Sequence, residues 1–149
     1  MEPGSISAPG DEPGGGEIYV ADRRWHAHVR NLRLVVTRAM RAASCNASVV
    51  LTDDRTVQKL NARDRGQNKP TNVLTYEHPA EILLALGVVL REAKAAHRTV
   101  AAHLSHLLVH GALHLEGYDH HHAGDAKRME GEEAWLLARI GIANPWKNQ

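Results

Sequence analysis

The sequence is poor in cysteine, in long apolar stretches and in net charge, and each shortage excludes a class of protein. Cys45 is its only cysteine, so neither an internal disulfide nor a metal site built from several thiolates is possible. No run reaches the roughly 18 apolar residues of a membrane-spanning helix, so we expect no membrane partner. The formal net charge is only +1 at pH 7, and nucleic-acid binding would therefore need local clusters of basic residues. The first residues lack the layout of a secretory signal, which predicts a cytoplasmic protein.

The chain of 149 residues is long enough for one ordinary globular domain and too short for two. Residues 1–16 are half glycine and proline, with almost no apolar side chains. Such a segment cannot bury enough surface to offset the entropy of ordering it. We therefore predict a disordered tail over residues 1–16 and a single domain over residues 17–149.

Short β-prone runs and helical patterns alternate after the tail. Strands are predicted at 17–21, 46–52, 72–76 and 81–85, and helices at 22–43, 53–62, 87–97, 99–116 and 124–140. Asp22 is the expected N-cap of the first helix, and residues 63–70 form a polar loop. The helix at 99–116 is apolar almost all round, which predicts burial at the centre of the fold. The sequence therefore indicates an α+β fold, with about five helices packed on a small, mostly parallel or mixed sheet.

Histidine is in excess, because eight of the eleven histidines fall between residues 97 and 122. Two of them, His110 and His114, are four residues apart on the predicted central helix, with Cβ atoms roughly 5–6 Å apart. Gly117 ends that helix and lets the chain turn, so His120 can return as a third ligand. Three neutral imidazoles with an open fourth position are typical of a catalytic zinc site. We expect one Zn²⁺ per chain at the end of this helix.

Alternatives to this arrangement stay open. A lone histidine pair at this spacing is more often a core or hydrogen-bonding pair than a pair of ligands, and only the glycine and the third histidine favour the metal. His121 or His122 could replace His120. His103 and His106 lie on the same helix face one and two turns earlier, and we interpret them as structural residues or as partners of the ligands.

The histidine spacing also matches the zinc protease pattern His-Glu-x-x-His-x-x-Gly-x-x-His at every position except one. Gly111 stands where those proteases have the glutamate that acts as general base. Without that carboxylate the usual route of peptide hydrolysis loses its proton acceptor. The sequence therefore predicts a zinc site but not a protease.

The stretch from His110 to His120, HGALHLEGYDH, resembles the hallmark of the YbeY family of bacterial endoribonucleases. The family pattern His-Gly-x-Leu-His-Leu-x-Gly-Tyr-Asp-His is matched at every fixed position. A second family segment is similar to Leu60-Asn61, Arg65-Gly66 and Thr71-Asn72-Val73-Leu74-Thr75. The resemblance extends over residues 17–146. It departs from the family at residues 77–86, where the loop is short and Ala80-Glu81-Ile82 replaces the usual Gly-Asp-Ile.

The resemblance implies a zinc-dependent, single-strand-specific endoribonuclease that acts in 16S rRNA 3′-end maturation and in ribosome quality control. The implied partners are small-subunit rRNA, the ribosome and a small-subunit ribosomal protein. The implied metal ligands are His110, His114 and His120, and the implied catalytic residues are Arg65 and His114. The guanidinium of Arg65 would meet two phosphoryl oxygens at once.

The general base and acid stay open. Asp119 could orient a ligand imidazole, and His121 or His122 could carry protons. A separate base would be unnecessary if zinc-bound hydroxide attacked directly.

Two groups of basic residues could contact RNA: Arg23, Arg30, Arg38 and Arg41 on the first helix, and Arg55, Lys59, Arg63, Arg65 and Lys69 further on. A charged helix face is usually only solvated, so the second group is favoured because it leads to Arg65. Two rival functions remain. One is a non-catalytic, zinc-stabilised ribosome assembly factor, and the other is a zinc-dependent hydrolase of a different substrate.

Overall fold

The computed structural model of the protein describes residues 16–118 and 123–147, which contain one mixed sheet and six helices. The strands are β1 (Ile18–Val20), β2 (Ser48–Thr52), β3 (Val73–Glu77) and β4 (Ala80–Ala85). The helices are α1 (Trp25–His28), α2 (Leu32–Ala42), α3 (Asp54–Arg65), α4 (Leu86–Ala95), α5 (Val100–Leu115) and α6 (Ala123–Arg139). The predicted α+β class is confirmed, with six helices in the described residues in place of about five.

The sheet has the order β1-β2-β4-β3 and is parallel except at one edge. β2 pairs in parallel with β1 and with β4, whereas β3 runs antiparallel to β4. Alternate residues of a strand point to opposite faces of the sheet. Val49 and Leu51 on β2, with their partners Ile82 and Leu84 on β4, therefore share one buried face. The main core lies on this face.

The main core is closed by α5, whose buried residues include Leu104, Leu108 and Leu113. The prediction of a central, buried helix at 99–116 is thus confirmed. Thr99 caps its first turn by accepting a hydrogen bond from the backbone N–H of Ala102. A smaller cluster on the other sheet face joins α3 to the sheet and contains Val57, Leu74, Leu83 and Ala85.

The prediction of one continuous helix at 22–43, capped by Asp22, is wrong. The chain is extended at Val29 and left-handed at Asn31 (φ 54°), which separates α1 from α2. Asp22 accepts a hydrogen bond from the backbone N–H of Arg24, so the chain forms a turn there and α1 starts only at Trp25. The apolar stripe nevertheless continues across the break, because its members all face the core: Trp25, Val29, Leu32, Val36 and Met40.

The loop predicted at 63–70 begins too early, because α3 continues to Arg65. Gly66 then adopts a left-handed conformation (φ 70°) and ends the helix. The region at 77–86, where the sequence departs from the family pattern, forms the β3–β4 turn and strand β4, and α4 follows that strand without a loop.

The predicted tail lies outside the described residues except for Gly16. A Cβ at Gly16 would clash with the backbone oxygens of both Asn46 and Ala47, so the described chain begins in close contact with the segment before β2. None of the helices in the described residues is long and apolar enough to cross a membrane.

Candidate active site

A cleft of about 450 Å³ is bounded by the end of α3, by β3 with the residues before it, and by α5. Its lining includes three of the residues predicted from sequence: Arg65, His110 and His114. Helix α5 can approach β3 closely because residue 111 is glycine. A Cβ at Gly111 would lie 3.2 Å from side-chain carbons of Thr75 and Ile82. The sequence-predicted residues of α3 and α5 therefore share one cleft.

The two cleft histidines direct the same ring nitrogen toward each other. Nε2 of His114 lies 3.1 Å from Nε2 of His110, and the rings are nearly perpendicular at 81°. Two nitrogens that each lie ~2.0–2.1 Å from a tetrahedral zinc ion are about 3.3 Å apart. The observed separation therefore fits two ligands of one ion.

The third predicted ligand, His120, lies outside the described residues, as do Asp119, His121 and His122. Within residues 16–118 and 123–147, no group of three or more histidine, cysteine, aspartate or glutamate side chains is arranged to hold a metal. The described part of the chain thus supplies two of the three predicted ligands, and the third stays a prediction.

A buried carboxylate that sequence reasoning missed holds the first of these histidines. Glu133 on α6 is only 1% exposed, and its Oε2 lies 2.6 Å from Nδ1 of His110. Its Oε1 lies 2.8 Å from Nε2 of His106 and accepts a hydrogen bond of 2.9 Å from Nε1 of Trp146. Metal-binding histidines commonly donate their second ring nitrogen to a carboxylate in this way.

The charge of Glu133 fixes the proton position on His110. Burial raises the pKa of Glu133, but hydrogen bonds and charge interactions with His106 and His110 outweigh it, so its pKa falls to about 2. An ionised carboxylate can only accept hydrogen bonds, so the proton of His110 lies on Nδ1. Nε2 of His110 is left to offer its lone pair on the side of His114, which is the tautomer that a metal ligand needs.

The two earlier histidines of α5 are buried and hydrogen-bonded, in line with their interpretation as structural or supporting residues. His106 contacts Glu133, as described above. Nε2 of His103 lies 2.8 Å from Oε1 of Glu92 on α4, and burial lowers the pKa of His103. Glu92 in turn accepts hydrogen bonds of 3.1 and 3.3 Å from Nδ2 of Asn72, which lines the cleft. This network ties α5 and α4 to the chain that enters β3.

Arg65 is the last residue of α3, and two contacts hold its guanidinium at the rim of the cleft. Its Nη2 donates a hydrogen bond of 2.5 Å to the backbone oxygen of Thr75. Its Cζ lies 5.3 Å from the centre of the Tyr76 ring, within the range of a cation–π interaction. The Tyr76 hydroxyl donates to Asp64 over 2.7 Å, which fixes the ring. The arginine is thus exposed but oriented.

The signal for Glu133 was present in the sequence as a charge inside an apolar stripe. On α6, residue 133 is four positions after Met129 and three before Leu136, and both of these residues are buried. A carboxylate at such a position is buried, and a buried carboxylate needs donors. Trp146 carries no comparable signal, because it lies beyond α6 and reaches Glu133 only through the tertiary fold.

Comparison with known proteins gives the family. The family model described as Endoribonuclease YbeY matches residues 17–141. A protein named Endoribonuclease YbeY from Gluconobacter oxydans is 45% identical, over 99% of this chain and 93% of its own length. One of the same name from Rhodopseudomonas palustris is 38% identical, over 89% and 82%. The chain therefore belongs to the Endoribonuclease YbeY family.

The fold is also found among solved structures. The solution structure of the Thermotoga maritima protein TM1509 superposes with a TM-score of 0.57, and the match covers 83% of this chain and 88% of that one. The two sequences are 24% identical. This likeness supports the α+β architecture.

Proposed function

We propose that the protein is a zinc-dependent endoribonuclease that cleaves single-stranded RNA. The observation that carries the proposal is the approach of the His110 and His114 ring nitrogens to each other in a cleft that is also lined by an oriented arginine. The family name describes cleavage within RNA chains, and the cleft contains a histidine pair at a spacing that suits metal ligands, together with a guanidinium that suits a phosphodiester.

The protein's own residues would bind and orient the substrate. His110, His114 and His120 would hold the ion, and Glu133 would keep His110 in the required tautomer. A zinc ion held there would supply Lewis acidity and lower the pKa of a water molecule. Arg65 would grip two phosphoryl oxygens as negative charge grows on them. For this it must exchange its hydrogen bond to Thr75 for the phosphate, which its exposed position permits.

Gly111 supports a phosphodiester substrate over a peptide. Its α-carbon faces Thr75 and Ile82 on the sheet, where even a Cβ has contacts of 3.2 Å. A glutamate at this position would crowd the side chains of Thr75 and Ile82, which would have to shift to admit it. The proposed metal-ligand pair therefore lacks the peptidase carboxylate at position 111.

We further propose that the substrate is small-subunit rRNA near its 3′ end, in the cytoplasm, with the ribosome and a small-subunit ribosomal protein as partners. This part rests on the family resemblance. A non-catalytic assembly factor would bind the same RNA but would not need an open ligand position, so cleavage distinguishes the two functions.

The deciding experiment is cleavage of a labelled single-stranded RNA by highly purified, zinc-loaded protein. Wild type should cut, and His114→Ala prepared identically should lose both zinc and cleavage. His26→Ala is the matched control, because His26 is exposed on α1, away from the cleft. Equal cleavage by wild type and His114→Ala would show that the activity comes from a contaminant, and it would refute the proposal.

A further inference from the structure

A groove of about 520 Å³ runs along the exposed side of α3, beside the cleft. Its lining residues are Arg55, Gln58, Lys59, Ala62, Arg63 and Asn68. The second wall is the loop after α3, which hydrogen bonds hold against the helix. Gln58 Nε2 donates to Asn68 Oδ1 over 3.2 Å, and buried Asn61 Nδ2 donates to the backbone oxygen of Lys69 over 2.9 Å. The groove is therefore built by fixed backbone on both sides.

The groove carries a row of positive charges. Arg55, Lys59 and Arg63 follow one another at intervals of four residues, which places them on one helix face over ~12 Å of helix axis. Arg63 is paired with Asp64 over 2.7 Å. Among the described residues, no carboxylate pairs with Arg55 or Lys59. The groove thus has two cations that form no ion pair with another described residue.

The groove and the cleft are adjacent. Gln58, Ala62 and Arg65 are spaced by four and three residues, so they form one stripe along α3. The first two line the groove and the third lines the cleft. The loop that carries Asn68 leads within three residues to Thr71, which also lines the cleft. A chain molecule bound in the cleft can therefore continue into the groove.

We infer that the α3 groove binds the RNA strand that extends beyond the cleft, through phosphate contacts of Arg55 and Lys59. The inference rests on the proposed function. A row of unpaired cations suits the repeating phosphates of a single strand. No aromatic side chain of the described residues lines the groove, so it offers no base-stacking platform. Binding there should depend on RNA length and salt but not on base sequence.

The test compares the double variant Arg55→Gln/Lys59→Gln with the matched control Lys94→Gln/Arg139→Gln, which removes the same charge from exposed residues of α4 and α6. Two single-stranded RNAs are used, one of about 4 nucleotides that fills only the cleft and one of about 12. Binding by fluorescence anisotropy and cleavage are measured across a salt series. Thermal unfolding of both variants checks that the fold is intact.

With the longer RNA, loss of two phosphate contacts should reduce the slope of log affinity against log salt by about 1.4 and weaken binding roughly 10- to 30-fold near 0.1 M salt. The short RNA should bind and react as with wild type. The inference is overturned if the longer RNA weakens no more than with the control variant, or if both RNAs weaken equally. It is also overturned if the slope of log affinity against log salt is unchanged, because two lost phosphate contacts must reduce that slope.

Failure of the proposed function looks different. If wild-type protein bound the longer RNA but cleaved neither RNA, the proposed endoribonuclease activity would be refuted. The anisotropy comparison would still show whether the α3 groove binds RNA. Wild-type protein that binds neither RNA would refute both.

Discussion

Replacing Glu133 by glutamine is the sharpest perturbation that the structure offers, because it changes charge and donor pattern but not shape. The carboxylate accepts from three groups: His106, His110 and Trp146. Glutamine has one oxygen to accept and one NH₂ group that can only donate. If its oxygen serves His106 and Trp146, its NH₂ faces Nδ1 of His110. His110 must then move its proton to Nε2, the nitrogen that would bind zinc.

The opposite amide orientation is no better. The oxygen would then serve His110, but the NH₂ would face the indole N–H of Trp146, which is left without an acceptor. One charge-assisted hydrogen bond is lost in either orientation, and such bonds contribute about 1.5–3 kcal/mol each. Loss of a partner of a metal-binding histidine typically weakens metal binding about 10- to 100-fold, which is roughly 1.4–2.7 kcal/mol.

Glu133→Gln should therefore bind zinc about 10- to 100-fold more weakly and lose about 1.5–3 kcal/mol of unfolding free energy without metal. Competition with a chromophoric chelator gives the zinc affinity, and urea denaturation of metal-free protein gives the stability. Glu132→Gln makes the same chemical change one residue earlier and should change neither. If Glu133→Gln kept wild-type zinc affinity, the carboxylate would not control the tautomer of His110, and the reasoning would be refuted.

Three further outcomes are expected. Arg65→Lys should keep fold, zinc and salt dependence but slow single-turnover RNA cleavage about 10²- to 10³-fold, since lysine lacks the two-pronged donor. His120→Ala should lose most bound zinc in metal analysis, and full occupancy would move the third ligand elsewhere. Gly111→Ala should be about 1 kcal/mol less stable in urea denaturation. Crowding against Thr75 and Ile82 lowers the free energy of unfolding by about 1–3 kcal/mol, and the better helix propensity of alanine raises it by about 1 kcal/mol.

Each of these variants has a matched control. Arg63→Lys alters an arginine that lies outside the cleft lining and should not slow cleavage of a short RNA. His26→Ala should keep full zinc occupancy. Gly131→Ala places a methyl group in open space on α6 and should be neutral or up to ~1 kcal/mol more stable. A Gly111→Ala protein as stable as Gly131→Ala would contradict the close approach of α5 to the sheet.

Sequence reasoning succeeded where a local pattern decides the structure. The apolar circumference of the helix at 99–116 predicted its burial, and the four-residue spacing predicted that His110 and His114 share a face. The strands were located because runs such as SVVLT and EILLA are short and consist mostly of apolar residues. The convergence of Arg65 on the same cleft followed from the family resemblance and not from spacing, because it depends on how β3 is placed beside α5.

Sequence reasoning failed where distant segments or single backbone angles decide. The break between α1 and α2 depends on a left-handed residue, Asn31, within an unbroken apolar stripe. The end of α3 was placed early because polar residues such as Arg63 and Asp64 look like loop although they continue the helix. The partners of Glu133 lie 23, 27 and 13 residues away along the chain, so only the packed fold brings them together.

Because the partners of Glu133 are far apart along the chain, the site can form only late in synthesis. The helix with His110 and His114 leaves the ribosome well before the residues that orient it. A nascent chain that stops short of residue 133 contains the two imidazoles but not the carboxylate, and one that stops short of residue 146 lacks the indole that completes it. The proposed binding of zinc would therefore be coupled to docking of α6 and of the segment beyond it. Zinc uptake by stalled chains of increasing length would mark that point.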